Sequence, residues 1–251
     1  MSEVNSCKRE SIVEVRFLDK RGTGTYYNDR FDLKCGDLVF VEARVGCHRA
    51  RVIGVNYHVT GDLAEYKHVD AVVDTSVNGN LYLAGTHVVA FDRSVLSVEK
   101  VQSWMYSLDS SEDSVLYSYD DSEFRLAQLD TMNVDMSVYL RGYKQYIDGK
   151  VCYLCLDGTS GYAIVDDCFP YELYFEYENG MISNLSCSCS ANYHCKHDVA
   201  MLLKLRELLE WIEGEYKELY EETGFFSAID YKEFTKCALD GKTKGVISLK
   251  C

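Results

Sequence analysis

Residues 11–95 are built from short apolar runs separated by turn residues. "SIVEVRFL" (11–18) alternates apolar and charged positions, and this places Ile12, Val13, Val15 and Phe17 inward or half inward on a strand. "LKCGDLVFVEARV" reads as a turn at Gly36-Asp37 followed by a strand entered by Leu38 to Val41. "RARVIGVNYHV" and "HVDAVVDTSV" are further strand candidates. "SVNGNLYLAGTHVVAF" places Asn78-Gly79, a hairpin dipeptide, between apolar runs. Short strands at such regular spacing predict a small barrel or rolled sheet.

The pattern changes after residue 100. Residues 101–135 are serine-rich and acidic, with one short helix expected near Glu123–Leu129. Strands return over 136–186, after a short amphipathic lead-in and a turn at Asp148-Gly149. "YELYFEYENG" alternates Leu173, Phe175 and Tyr177 with Glu172, Tyr174 and Glu176, then turns at Glu178-Asn179-Gly180. After Asp198 the apolar period becomes helical. Leu202, Leu205, Leu209 and Ile212 form one stripe, and Gly214 is expected to weaken or end it. A loop at Gly224, a second helix over Asp230–Leu239 and a short strand at Val246–Leu249 complete the expected order.

The chain has 251 residues, 47% of them apolar, and so can bury one or two cores. The start, "MSEVNSCKRES", has no apolar leader, and no run of about 18 apolar residues occurs. A cytoplasmic protein without membrane spans is expected. Its eleven cysteines, an odd number, are then thiols or metal ligands rather than disulfides. The formal net charge is −14, and residues 101–135 carry one basic and eight acidic groups, a net −7. An overall basic face for nucleic acid is not expected from such a total. The acidic strip Asp109–Asp130 has two readings: a solvated linker, or a mimic of phosphates that docks on a basic partner.

The chemistry is concentrated in "CSCSANYHCKHDVAMLLKLRELLEW" (187–211). Cys187, Cys189, Cys195 and His197 follow C-x-C-x5-C-x-H. Residues i and i+2 of a strand share a face, so Cys187 and Cys189 can address one ion. The next five residues let the chain turn back, and Cys195 and His197 arrive at a helix start, where amide donors favour a thiolate. Three sulfurs and one imidazole make a closed tetrahedral set suited to one structural Zn2+, and the soft donors disfavour magnesium or calcium. His194 is the alternative to His197.

This stretch resembles the SWIM zinc finger, whose C-x-C-x(n)-C-x-H ligands lie in a ββα unit. "LRGYKQYIDGKV" (Leu140–Val151) is similar to the lead-in of bacterial SWIM segments, and "CKHDVAMLLKL" to the helix opening. The likeness covers about residues 138–212 and points to a stand-alone form of bacterial or phage kind. Ser190 stands where many bacterial members carry proline. The resemblance implies binding to DNA or to proteins rather than catalysis, since SWIM segments occur in Swi/Snf-type helicase proteins, Mutator-type transposases and recombination accessory proteins. "DLKCGDLVFVEA" is also similar to a stretch of SH3-like small barrels, which bears on fold alone.

The expected architecture is α+β. It comprises a small β barrel or rolled sheet (1–100), an acidic linker (101–135), a ββα zinc domain of SWIM type (136–212) and a helical extension (213–251). Candidate phosphate contacts are Lys196, Lys204 and Arg206 after the finger and Arg44, Arg49 and Arg51 in the first domain, where His48 joins them. Each group also reads as an ordinary solvated face or loop. Cys152 and Cys155, with Cys168 nearby, read as packing thiols in a strand, because no fourth ligand is evident. No G-x-S-x-G, H-E-x-x-H or phosphate loop occurs, so no enzyme and no small-molecule substrate is expected. Two functions remain: a nucleic-acid-linked binding module, or an acidic adaptor or inhibitor that docks on a basic, nucleic-acid-binding partner without touching DNA.

Overall fold

The computed structural model describes residues 10–44, 46–58, 63–106, 118–120, 123–132, 134–191, 194–239 and 247–250. Half of the acidic strip, Glu112, Asp113 and Asp121 among it, lies outside the described residues. The fold is α+β and divides into two compact units: residues 1–76, 102–111 and 235–245, and residues 77–101, 112–234 and 246–251. These differ from the sequence-based boundaries, because the units are assembled from segments far apart in the chain.

The first unit holds β1 (Ser11–Phe17), β2 (Thr23–Asn28), β3 (Leu38–Glu42), β4 (Cys47–Asn56) and β5 (Val69–Val73) in one antiparallel sheet of order β2-β1-β4-β3-β5. Alternation sends Val13 and Val15 into its core with Leu33, Val39, Val41 and Val52, while Glu14 and Arg16 stay exposed. Ile12 and Phe17 are only half-buried. The sheet's two edge strands approach at one parallel bridge, Tyr27 to His68, where the Tyr27 amide donates to the Lys67 carbonyl at 2.8 Å.

The second unit is larger. In chain order it holds β6 (Gly79–Ala84), β7 (His87–Ala90), β8 (Ser118–Asp120), β9 (Phe124–Arg125), β10 (Val151–Asp157), β11 (Ser160–Asp166), β12 (Pro170–Glu178), β13 (Met181–Cys187), β14 (Phe225–Asp230) and β15 (Ile247–Lys250). The sheet order is β15-β6-β7-β14-β10-β11-β12-β13-β8, with β9 paired beside β8 on β13; β15–β6 is the one parallel pair. Among the described residues of the chain the helices are α1 (Val98–Met105), which begins in this unit and ends in the first, α2 (Met136–Ile147), α3 (Lys196–Glu215), α4 (Lys217–Thr223) and α5 (Tyr231–Phe234), the last followed by a π turn over Thr235–Leu239 that belongs to the first unit. No helix among the described residues is long and apolar enough to cross a membrane.

Three sequence expectations change. Asn78-Gly79 is not a hairpin turn: Gly79 opens β6, with φ of +144°, where a Cβ would collide with Val95. The β6–β7 turn falls at Gly85-Thr86 instead, with Gly85 at φ +58°. The strands over 79–90, expected in the first domain, belong to the second sheet. The expected helical extension contains β14, an entirely buried strand between β7 and β10. The turns at Asp148-Gly149 and Asn179-Gly180 occur as expected, with positive φ at Gly149, Asn179 and Gly180.

α3 carries the core of this unit. Leu202, Leu205 and Ile212 are buried as the stripe predicts, and Met201, Leu203 and Leu208 join them. α3 ends one residue past Gly214. α2 lies against the start of α3 through Gly142: a Cβ there would stand 2.5 Å from the Val199 Cβ and 2.6 Å from the Lys196 carbonyl oxygen. The glycine of the lead-in is therefore a close helix contact, while Arg141 beside it is exposed, and the N-cap of α2, Asp135, accepts the Ser137 amide at 2.7 Å.

Candidate metal centre

The four expected ligands converge. Cys187, Cys189, Cys195 and His197 are all buried, and their ligand atoms lie within 4.8 Å of one another. Cys187 ends β13, opposite Leu173 of β12. The ladder is carried one residue further by two bonds at 2.9 Å: the Ser188 amide donates to the Glu172 carbonyl, and the Glu172 amide donates to Ser188 Oγ. Cys189 therefore stays on the strand's path and faces the same side as Cys187. Cys195 is the N-cap of α3 and His197 its second residue. Asp198 Oδ2 accepts the Cys195 amide at 2.6 Å, which fixes the helix entry.

The geometry suits a metal ion. His197 Nδ1 stands 3.7 Å from Cys187 Sγ and 3.5 Å from Cys195 Sγ. A tetrahedral zinc with Zn–S of about 2.3 Å and Zn–N of about 2.0 Å sets S···N edges of about 3.6 Å. The other ring nitrogen, Nε2, is 3.6 Å from Asp167 Oδ2, and Tyr171 stacks on the imidazole at 4.3 Å between centroids. This turns Nδ1 toward the sulfurs and Nε2 toward a carboxylate just beyond hydrogen-bond distance, the side from which metal-bound histidines are oriented. Asp167 also pairs with Lys196 at 2.5 Å, and that bond, ahead of its other contacts, holds its carboxyl below the usual range.

The sulfurs interact as one group. Hydrogen bonding from Cys187, then from Cys195, drives the Cys189 thiol far down; the contact with Cys189 pushes Cys187 up, and contacts with Cys187, then Cys189, push Cys195 up. Three thiolates this close repel one another, so deprotonating all three needs a cation among them. Burial pushes the neighbouring Asp198 carboxyl up to about 7.

The other candidates separate clearly. His194 meets the Phe124 ring edge-on at 5.8 Å and is outside the four-ligand group. Cys152 and Cys155 are buried in β10, and burial pushes Cys155 up to about 12. Of the phosphate-contact candidates, Arg44 is exposed and Arg206 half-buried. Lys196 is engaged by Asp167. Arg49 is bound to Asp19, its Nε at 2.8 Å from Oδ1. The structure removes the remaining two from any surface. Lys204, 3% exposed, sits 2.7 Å from Glu207 and over the Tyr146 ring; Arg51, 5% exposed, donates to the carbonyls of Gly36 at 2.6 Å, Cys237 at 3.3 Å and Lys236. Their long apolar stems on otherwise apolar elements explain this burial, since each head finds partners inside.

Asp167, Tyr171 and Ser188 complete the centre without having been singled out in the sequence. Asp167 and Tyr171 come from the β11–β12 hairpin, about twenty to thirty residues before the ligands, and carry no local signature. Asp198, three residues after Cys195, did carry one: an acid at the third helical position is half of a capping box. Compared with protein-family models, curated proteins and solved structures, the chain matches none of them.

Proposed function

We propose that the chain is a non-catalytic binding protein of SWIM zinc-finger type that serves nucleic-acid transactions by docking on a basic, nucleic-acid-handling protein of the helicase or recombinase kind. One zinc ion would be held by Cys187, Cys189, Cys195 and His197, and would supply a cross-link between the end of β13 and the start of α3. Since the chain provides four ligands, no open coordination position is left for chemistry. Asp167 and Tyr171 orient the histidine, and Asp198 fixes the helix start.

The observation that carries the choice of partner is the engagement of the cations. Four of six candidate phosphate contacts, Lys196, Lys204, Arg49 and Arg51, are bonded internally. With a net charge of −14, a basic protein surface is a better match than a phosphate backbone. Direct nucleic-acid binding is the second reading. It is favoured by exposed Arg44 and by Lys196, which keeps a third of its side chain exposed beside the centre.

Fluorescence polarisation of the metal-loaded chain with labelled single- and double-stranded DNA decides between them. The expected result is no binding even at low salt, together with loss of protein complexes from a variant carrying Glu112→Gln, Asp113→Asn, Asp120→Asn and Asp121→Asn. DNA binding that weakens steeply with salt, reduced by Arg44→Gln or Arg206→Gln, would establish the second reading instead.

A further inference from the structure

A groove of about 680 Å³ lies within the second unit, along the C-terminal half of α3 and beside β9 and the 3-10 turn that follows it. It shares no residue with the metal centre. Leu126 and Leu209 give it an apolar lining. Four side chains with donor groups also line it: Arg125, Arg206, Tyr177 and Tyr220. None of these four forms a hydrogen bond or an ion pair with another described side chain. All four are donors, and burial raises both phenols, so they stay protonated.

In a chain with 40 acidic and 26 basic residues, the described ion pairs engage Arg30, Lys34, Arg49, Arg93, Lys144, Lys196, Lys204 and Lys217, and neither groove arginine is among them. Two carboxylates do line the groove. Glu213 is already paired with Lys217 at 2.6 Å, and Glu210 makes no ion pair with either arginine. Guanidinium groups left without partners beside apolar surface are suited to a carboxylate or phosphate on an apolar body. The volume lies inside the range of about 300–1,000 Å³ typical of small-molecule sites.

We propose that this groove binds an amphipathic anion, an alkyl or aryl body lying on Leu126 and Leu209 with a carboxylate or phosphate head on Arg125 and Arg206. Calorimetric titration of the full chain with dodecanoate, dodecyl phosphate and neutral dodecanol tests it, the two anions kept below their micelle concentrations and dodecanol below its solubility. Saturable one-to-one binding of an anion is expected. Whichever head binds more tightly, carboxylate or phosphate, identifies the ligand class. The double variant Arg125→Gln, Arg206→Gln should weaken that anion by about tenfold or more and leave dodecanol unchanged. Both substitutions are at the surface, and an unchanged thermal transition will confirm folding. Anions that bind no better than dodecanol, a double variant that binds as the parent does, or binding only of an acidic peptide would overturn the proposal.

Discussion

His197 shows why the centre depends on more than its ligands. One ring nitrogen faces two sulfurs and the other faces Asp167, while Tyr171 covers the ring. Removing a ligand and removing the orienting acid should therefore differ. Cys187→Ser or His197→Ala is expected to lower bound zinc from about one equivalent to near zero, read by atomic emission, and to expose the first turn of α3 to hydrogen exchange. Asp167→Asn should keep the stoichiometry but weaken zinc by about 10–100-fold in competition with a chelator. The ligands were legible in the sequence because all four lie within eleven residues, so spacing alone predicts their meeting. Asp167 was not, since only the folded hairpin brings it near. The six cations show the converse: lysine and arginine look alike in a sequence whether they face solvent, as Arg44 does, or an internal carboxylate, as Lys204 does.

At the scale of elements, α2 and α3 meet where no side chain fits. Gly142→Ala should cost about 1–3 kcal/mol in denaturant unfolding, because the new methyl meets backbone and Val199 rather than a flexible tip. A change within about 0.5 kcal/mol would mean that the helices simply shift apart. Alternating strands such as β1 and β12, and the striped helix α3, were readable because each buries one face. β14 was not. Its "FFSAID" is buried on both faces, has no alternation, and is too short to be told from a loop or a helix turn. The Asn-Gly dipeptide at 78–79 misled for a related reason: glycine serves close approach as well as turns, and Val95 uses the space.

For the whole molecule, stability and charge pull in different directions with pH. His87 is fully buried; its Nε2 lies 3.0 Å from the Val151 carbonyl and its Nδ1 3.1 Å from Thr86 Oγ1. Burial first, then Lys204, pulls it down to about 4. Unfolding restores a value near 6.5, so the unfolded chain takes up the proton first as pH falls. The resulting stability is whole above about pH 6.5 and is lost between there and about pH 4, up to about 3 kcal/mol. A His87→Asn variant should lack that portion of the pH dependence in thermal melts. Over the same range carboxylates begin to protonate and the net −14 shrinks, which relieves self-repulsion but weakens any hold on a basic partner.

The position of β14 also has a temporal consequence. β7 reaches β10 only through it, with Ala90 opposite Ser227 in the ladder. On a ribosome adding about 5–20 residues per second, β6 and β7 emerge on the order of ten seconds before the strand that joins them to the rest of their sheet. During that interval the hairpin "LYLAGTHVVAF" leaves the outer edge of β7 with no lateral neighbour. Synthesis, more than the finished molecule, is when this chain most needs a chaperone.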